Sequence, residues 1–170
     1  MTFYVDSEVD LFGGESALFD LYEVTQSVLN AVMEAEKCPY EAEVNIVICD
    51  DENIRKVNRE SRGVDEVTDV LSFPSVEYKE AANFSEATAE VTNFEPDSGN
   101  LLLGDIIISA ERVRSQAEKY EHGLKREYAF LLTHSLLHLI GYDHKSFEEE
   151  EIMELKQENI LKGLGIGSYV

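Results

Sequence analysis

Three of the chain's four histidines lie in the stretch HSLLHLIGYDH, which begins at residue 134. His134 and His138 are four residues apart, so on an α-helix they project from one face, one turn apart. Gly141 is the residue type that lets a helix stop and the chain reverse, which would bring His144 back towards the pair. Three neutral imidazoles leave one coordination position open to water, as in catalytic zinc sites. The spacing therefore predicts one metal site.

The competing interpretation is a buried helix whose histidines are ordinary core residues. YAFLLTHSLLHLIG is apolar on nearly every side, and buried histidines are commonly satisfied by hydrogen bonds alone. A pair at i, i+4 followed by glycine and a further histidine favours the metal site, with Asp143 or a backbone carbonyl orienting a ligand ring. The remaining histidine, His122, lies near a predicted helix end and is interpreted as a capping residue outside the site.

The residue after the first histidine of the array indicates which class of bond the site could hydrolyse. In zinc peptidases a glutamate stands there and serves as the general base, whereas this chain has Ser135. Hydrolysis of a phosphodiester makes a different demand, because cationic groups near the phosphoryl oxygens supply much of the stabilisation. The array therefore favours phosphodiester chemistry if cationic residues lie nearby.

Basic residues are few but clustered. The formal charge is −21, from 35 acidic and 14 basic residues, which by itself argues against a polyanionic partner. Four of the 14 basic residues nevertheless fall within eight positions, and Arg55, Arg59 and Arg62 would share one face of a helix. Such a stripe would direct anions to one place. The alternative is a solvated face that pairs with neighbouring acids, and charge alone leaves both open.

The helices and strands that position these residues can be predicted from the spacing of apolar residues and from capping residues. Helices are predicted over 16–36, which is amphipathic, and over 52–62, 110–122, 125–140 and 147–161. Strands are predicted over 44–49, 67–74 and 101–109. Expected N-caps are Asp50 or Asp51, Ser109 and Ser146, and expected helix stops are Gly123 and Gly163. Residues 77–99 are acidic and aperiodic, which indicates an excursion or mobile loop with a short strand near Val91.

Length and composition indicate one domain, 1–170, of the α+β class, with a small mixed sheet covered by helices. No apolar run approaches the roughly 20 residues of a membrane span. The first residues lack the basic and apolar regions of a secretory signal, so a cytoplasmic location is expected. Cys38 and Cys49 lack a CxxC spacing, and in a reducing compartment both are expected as free thiols.

The histidine stretch resembles the HGxLHLxGYDH signature of the YbeY family of bacterial endoribonucleases. NRESRGVDEVTDVLSFP, residues 58–74, is similar to that family's Asn-Arg, aromatic, Arg, Asp and Thr-Asp-Val-Leu-Ser-Phe-Pro block, and LGDIIIS, residues 103–109, is similar to a third block. These matches cover much of 44–144 in the same order. The resemblance implies a zincin-like metallohydrolase with its metal site on a central helix and the following turn.

The resemblance also implies a function. It predicts a zinc-dependent, single-strand-specific endoribonuclease acting in rRNA maturation, at the 3′ end of small-subunit rRNA, and in ribosome quality control. The expected partners are single-stranded RNA, rRNA and the ribosome or its small subunit, with no membrane and no DNA. Carried over residue by residue, His134, His138 and His144 would bind one zinc ion and Arg62 would be catalytic. Arg59 and Arg55 are expected to bind substrate phosphates.

Three positions depart from the family pattern. Ser135 replaces a usual glycine, Val67 replaces a common proline, and Ser61 replaces an aromatic residue that would offer a base-stacking surface. Thr68 and Asp69 are expected either to support the site or to be structural. Two other classes of function stay open: a metal hydrolase acting on peptides or small molecules, and a ribosome-associated protein whose zinc is structural.

Overall fold

A mixed β-sheet of four strands forms the centre of the part of the chain that the computed structural model describes, residues 1–12 and 18–167. The strands are β1 (Thr2–Ser7), β2 (Ala42–Cys49), β3 (Val70–Pro74) and β4 (Leu101–Ser109). Their order in the sheet is β1-β2-β4-β3. The β1–β2 and β2–β4 pairs are parallel, whereas β3 is antiparallel to β4. The mixed sheet is as expected, and β3 lies at one of its edges.

Helices cover both faces of the sheet. The described α-helices are α1 (Leu21–Ala35), α2 (Asp51–Arg62), α3 (Ala110–Lys119), α4 (Leu124–Leu139) and α5 (Phe147–Gly163). Because side chains alternate along a strand, Ile106 and Ile108 pack towards the core that contains α1, α4 and α5. Leu71 and Cys49 pack on the other face, against Ile54 of α2. The α+β prediction is confirmed, with α4 and α2 on opposite faces.

Short polar side chains begin most of the helices, as the sequence predicts. Asp50, Ser109 and Ser146 each accept a hydrogen bond from a backbone N–H in the first turn of α2, α3 and α5. Helix α1 begins after its N-cap Asp20 rather than at residue 16, and residues 13–17 lie outside the described part. The expected free state of both cysteines is confirmed.

Several boundaries differ from the expectations. Helix α3 ends at Lys119, because Glu121 adopts a left-handed conformation with φ 54°, so the stop expected at Gly123 is wrong. Gly163 is the last residue of α5, and the chain reverses at Gly165, with φ 73°. Strand β1 is not predicted by the sequence pattern, since most of its residues are partly or fully exposed and show no clear alternation.

The acidic segment after β3 is packed onto the domain. Its residues form two 3₁₀ helices, Phe84–Ala89 and Val91–Asn93, so the strand predicted near Val91 is wrong. The buried side chain of Phe84 and the hydrogen bond from Ala82 N to Ile140 O, at 2.8 Å, anchor the segment beside the end of α4. Among the described residues, none of the helices has the length and apolarity that a bilayer crossing requires.

A buried hydroxyl pair links α1 to α4. The Thr25 hydroxyl donates to Leu21 O at 2.7 Å, so its oxygen accepts from the Tyr128 hydroxyl, also at 2.7 Å. Both side chains are completely buried. A buried donor that loses its acceptor carries a desolvation penalty, so this contact makes the packing of the two helices specific.

We therefore expect Thr25→Val to lower the free energy of unfolding by about 1–3 kcal/mol, because it leaves the Tyr128 hydroxyl buried without an acceptor. The double variant Thr25→Val/Tyr128→Phe removes both polar groups and should recover part of the loss. Urea unfolding of the wild type, both single variants and the double variant measures the coupling. A double variant no more stable than Thr25→Val would contradict this account.

Candidate metal centre

Helix α4 and the turn after it bring the three predicted histidines together. His134 and His138 lie one turn apart on the same face, with their Nε2 atoms 3.0 Å from each other. The ring of His144 lies 5.5 Å from that of His134 and 5.0 Å from that of His138, between centroids. One nitrogen from each imidazole falls within 4.8 Å of the others. This convergence is what the HxxxHxxGxxH spacing predicts.

Gly141 makes the reversal possible. Its φ of 106° is a backbone conformation that residues other than glycine rarely adopt. A Cβ at this position would also lie 2.8 Å from Cβ of Tyr78 and 3.2 Å from Cα of Ala81, closer than ordinary contacts. The turn therefore needs glycine both for its backbone angle and for the close approach of the segment that follows β3.

The chain's own hydrogen bonds set the orientation of His138. Its Nδ1 lies 2.8 Å from the Tyr142 carbonyl oxygen, which only accepts, so Nδ1 carries the proton and Nε2 presents its lone pair. The Tyr142 hydroxyl donates to Glu36 at 2.6 Å, and Lys156 pairs with the same carboxylate at 2.9 Å. The backbone carbonyl expected behind a ligand ring is therefore that of Tyr142. The Asp143 carboxylate instead accepts from the His144 backbone N–H at 2.8 Å.

Gln157 of α5 supports His134 from behind. Its side chain is buried, and its amide nitrogen Nε2 donates to His134 Nδ1. An amide also carries an acceptor oxygen, so a half-turn of the Gln157 amide lets it accept from Nδ1–H when the Nε2 lone pair of His134 is used for coordination. The sequence does carry a signal for this residue, because Gln157 is the polar member of an otherwise apolar stripe that includes Met153 and Ile160.

The pKa values of His134 and His138 are lowered, which favours the neutral rings that coordinate metal. Burial, together with the nearby His138 and His144, lowers the pKa of His134 to about 4. Burial and the His144 ring also lower the pKa of His138. Neutral imidazoles bind metal through a ring nitrogen, and one nitrogen from each of the three rings lies within 4.8 Å of the others, which is the donor set of a zinc-type site. The residues present therefore fit a divalent metal.

A cleft of about 800 Å³ joins this centre to β3 and to Arg62. Its volume lies within the range of small-molecule and substrate sites. The lining includes the three histidines, the whole outer side of β3 and Arg62, which is the last residue of α2. The histidines and Arg62 come from elements on opposite faces of the sheet, and they meet at the cleft because it runs along the sheet edge.

Arg55 and Arg59, the other predicted phosphate-binding residues, are not among the residues that line this cleft. Both pair with Asp65: Arg55 donates to both carboxylate oxygens, at 2.9 and 3.3 Å, and Arg59 lies 3.8 Å away. All these side chains are about half exposed. The alternative of a solvated face paired with an acid thus describes these two arginines, and their role in RNA binding stays a prediction.

Ser135 and His122 are not among the residues that line this cleft. Ser135 is completely buried within α4, and its hydroxyl has no hydrogen-bond partner among the described residues. His122 does not cap α3 with its imidazole: Nε2 donates to the buried Glu127 at 2.7 Å, because Nδ1 accepts from Arg126 Nε at 3.1 Å. His122 belongs to a buried ionic network outside the metal centre, so the expected capping role is wrong.

Comparison with known proteins identifies similar chains along most of the sequence. The profile of the family described as Endoribonuclease YbeY matches residues 14–165. A protein of that name from Lachnospira eligens is 44% identical, covering 98% of this chain and 99% of its own. One from Agathobacter rectalis is 46% identical with the same coverage. A solution structure of a Thermotoga maritima protein shares the fold, with a TM-score of 0.54 at 20% identity, covering 96% of this chain and 92% of that one.

We expect the purified protein to bind about one divalent metal ion per chain, because the described residues contain one cluster of three convergent histidines. His138→Ala should reduce the bound metal to a small fraction of this. His122→Gln is the matched control, since glutamine keeps a donor for Glu127 and an acceptor for Arg126. Metal analysis after dialysis measures both. Full retention of metal by His138→Ala would show that the ligands are misassigned.

Gln157→Leu should weaken metal binding by roughly 10- to 100-fold, because it removes the partner that orients His134. Gln157→Glu keeps an acceptor for the Nδ1 proton and should bind at least as tightly as the wild type. Competition with a chromogenic chelator gives both affinities. Equal affinities for Gln157→Leu and the wild type would mean that helix packing alone orients the ring.

Proposed function

The chain belongs to the YbeY family of endoribonucleases, and on that premise we propose that it is a zinc-dependent endoribonuclease specific for single-stranded RNA. Its cellular substrate is rRNA, with cleavage at the 3′ end of the small-subunit rRNA and a role in ribosome quality control. Residues 1–170 act as one cytoplasmic catalytic domain. The observation that supports the chemistry is the meeting of the three histidines and Arg62 in one cleft.

The protein groups divide the work between metal binding and charge stabilisation. When bound, zinc supplies Lewis acidity that lowers the pKa of water or polarises a phosphoryl oxygen. His134, His138 and His144 would hold the ion, and Gln157 with the Tyr142 carbonyl keeps two of those rings in place. These contacts build the site before substrate arrives, so little reorganisation is needed during the reaction.

Arg62 is the group best placed to meet the reacting phosphate. It lines the cleft, and no described carboxylate lies within ion-pair distance of it, whereas Arg55 and Arg59 share Asp65. Negative charge accumulates on phosphoryl oxygens as a phosphodiester is cleaved, and an unpaired guanidinium nearby stabilises that charge. Arg62 is therefore proposed as the catalytic arginine.

The position after the first ligand supports RNA rather than a peptide as substrate. A zinc peptidase needs a carboxylate beside the attacking water to take its proton and deliver it to the leaving amine. Ser135 occupies that position and is buried away from the cleft. A cationic side chain in the same cleft as three histidines instead matches the needs of phosphoryl transfer.

The direct test uses the metal-loaded protein with an unstructured RNA and with the same RNA annealed to its complement. Cleavage of the single strand alone, abolished by a chelator and restored by zinc, is the expected result. Identification of the new termini then shows whether water or a ribose 2′-hydroxyl attacks. Absence of any chelator-sensitive cleavage of the single strand would refute the proposed activity.

Arg62→Ala should lower the single-turnover cleavage rate at saturating RNA by roughly 10²- to 10³-fold, the loss typical of one donor that acts on developing charge. RNA affinity should change much less, and metal content should stay at the wild-type level.

Arg59→Ala provides the contrast on the same helix. If Arg59 contacts phosphate, its loss should weaken binding, reduce the salt dependence by about one unit of slope and leave the saturated rate unchanged. If Arg62→Ala cleaves at the wild-type rate once RNA is saturating, its catalytic assignment fails and it is only another phosphate contact.

A further inference from the structure

The outer edge of β3 presents backbone polar groups to the cleft. Ser109 N donates to Asp69 O at 2.9 Å and Ser75 N donates to Leu103 O at 3.1 Å, and the antiparallel register between them is unbroken. In such a ladder every second residue exchanges hydrogen bonds with the partner strand. The residues whose N–H and C=O groups turn away from β4 are therefore Val70, Ser72 and Pro74.

Only one of these residues offers a backbone donor to the cleft. Pro74 has no N–H, and its place in β3 fits an outward position, where no bond to β4 is required. Val70 N already donates to the Asp69 side chain at 2.8 Å. No described residue accepts a hydrogen bond from Ser72 N–H, which stands on the free edge beside the carbonyl of the same residue.

Ser72 lines the same cleft as the three histidines and Arg62. The cleft that it lines has α4 and its histidines on one face of the sheet and Arg62 of α2 on the other. A nucleic acid strand that places a phosphate between the histidines and Arg62 must therefore pass along the edge of β3. The nucleotide next to that phosphate then meets the N–H and C=O of Ser72.

We propose that the backbone N–H and C=O of Ser72 bind the Watson–Crick edge of an unpaired base next to the scissile phosphate, an inference that rests on the proposed function. In an extended residue these two groups lie side by side and point the same way. Every RNA base carries a donor and an acceptor next to each other on that edge, so one backbone residue can bind all four. In a duplex the same atoms are occupied by the complementary base. The contact therefore selects single strands without reading sequence.

The pattern of donors favours a base over an extended peptide. A peptide that adds to a sheet edge needs a donor and an acceptor at every second residue of that edge. Along the outer side of β3 two of the three donors are missing, since Val70 N is used and Pro74 has none. A single base needs only the pair that Ser72 supplies.

Ser72→Pro removes the outward N–H without removing a bond to β4, and Ser72→Ala is the matched control because it removes only the hydroxyl. We expect Ser72→Pro to bind single-stranded RNA roughly fivefold to tenfold more weakly than the wild type, and Ser72→Ala to match the wild type. Fluorescence anisotropy at fixed salt gives the affinities. Metal content and the melting temperature show whether each variant is folded.

Modified RNA tests the same contact from the substrate side, so the result does not depend on how Ser72→Pro folds. An oligonucleotide of N3-methyluridines has blocked Watson–Crick edges, whereas 5-methyluridines leave them intact, and both bases are neutral. The wild type should bind the N3-methylated RNA less tightly than the 5-methylated RNA, and Ser72→Pro should show little difference between them.

Three results would overturn the inference: equal wild-type affinity for both modified RNAs, an equal loss in Ser72→Ala and Ser72→Pro, or an unstructured peptide that displaces RNA from the wild type. Failure of the proposed function is distinguishable, because it appears as an absence of metal-dependent cleavage by the wild type whatever the affinities are.

Discussion

The metal centre depends on one requirement: each imidazole that points Nε2 at the ion needs a partner for its Nδ1 proton. His138 finds this partner in the carbonyl of Tyr142, within its own turn. His134 has Gln157, which belongs to a different helix, at its Nδ1: the amide nitrogen donates there, and the amide oxygen would accept the Nδ1 proton once Nε2 binds an ion. The geometry of the centre therefore requires α4, the turn at Gly141 and α5 to be fixed relative to one another, and the buried core between these helices fixes them.

The same turn connects the metal centre to the rest of the cleft. Gly141 permits the close approach of Tyr78, whose backbone continues from β3. Tyr142 extends the connection to α1, because its hydroxyl binds Glu36, which in turn pairs with Lys156 of α5. A substitution in these supporting contacts acts on the ligands indirectly, by moving the turn that carries His144. The position of the histidine ligands therefore depends on the segment that follows β3 and on the contacts of Tyr142.

Sequence patterns predict those parts of the structure that depend on local chemistry. The histidine spacing, the capping residues and the apolar strands are properties of neighbouring positions, and they identify the metal site, α4 and most boundaries. Partners distant in the sequence do not follow from local patterns: the Asp65 counterion of Arg55 and Arg59 and the Gln157 contact to His134 depend on tertiary packing. The 3₁₀ helices near Val91 and the half-exposed β1 lack the periodicity that a prediction needs.

Net charge also constrains how this fold binds RNA. With a formal charge of −21, the protein as a whole repels a polyanion. The basic face of α2 attracts RNA less than its sequence suggests, because Arg55 and Arg59 are paired with Asp65. Long-range electrostatics therefore does not favour binding, and under the proposed function affinity comes from short-range contacts within the cleft: Arg62, a bound metal ion and backbone groups on the edge of β3. Contacts of this kind act only on a strand that enters the cleft, so the acidic surface itself favours binding at the catalytic centre over binding elsewhere on the protein.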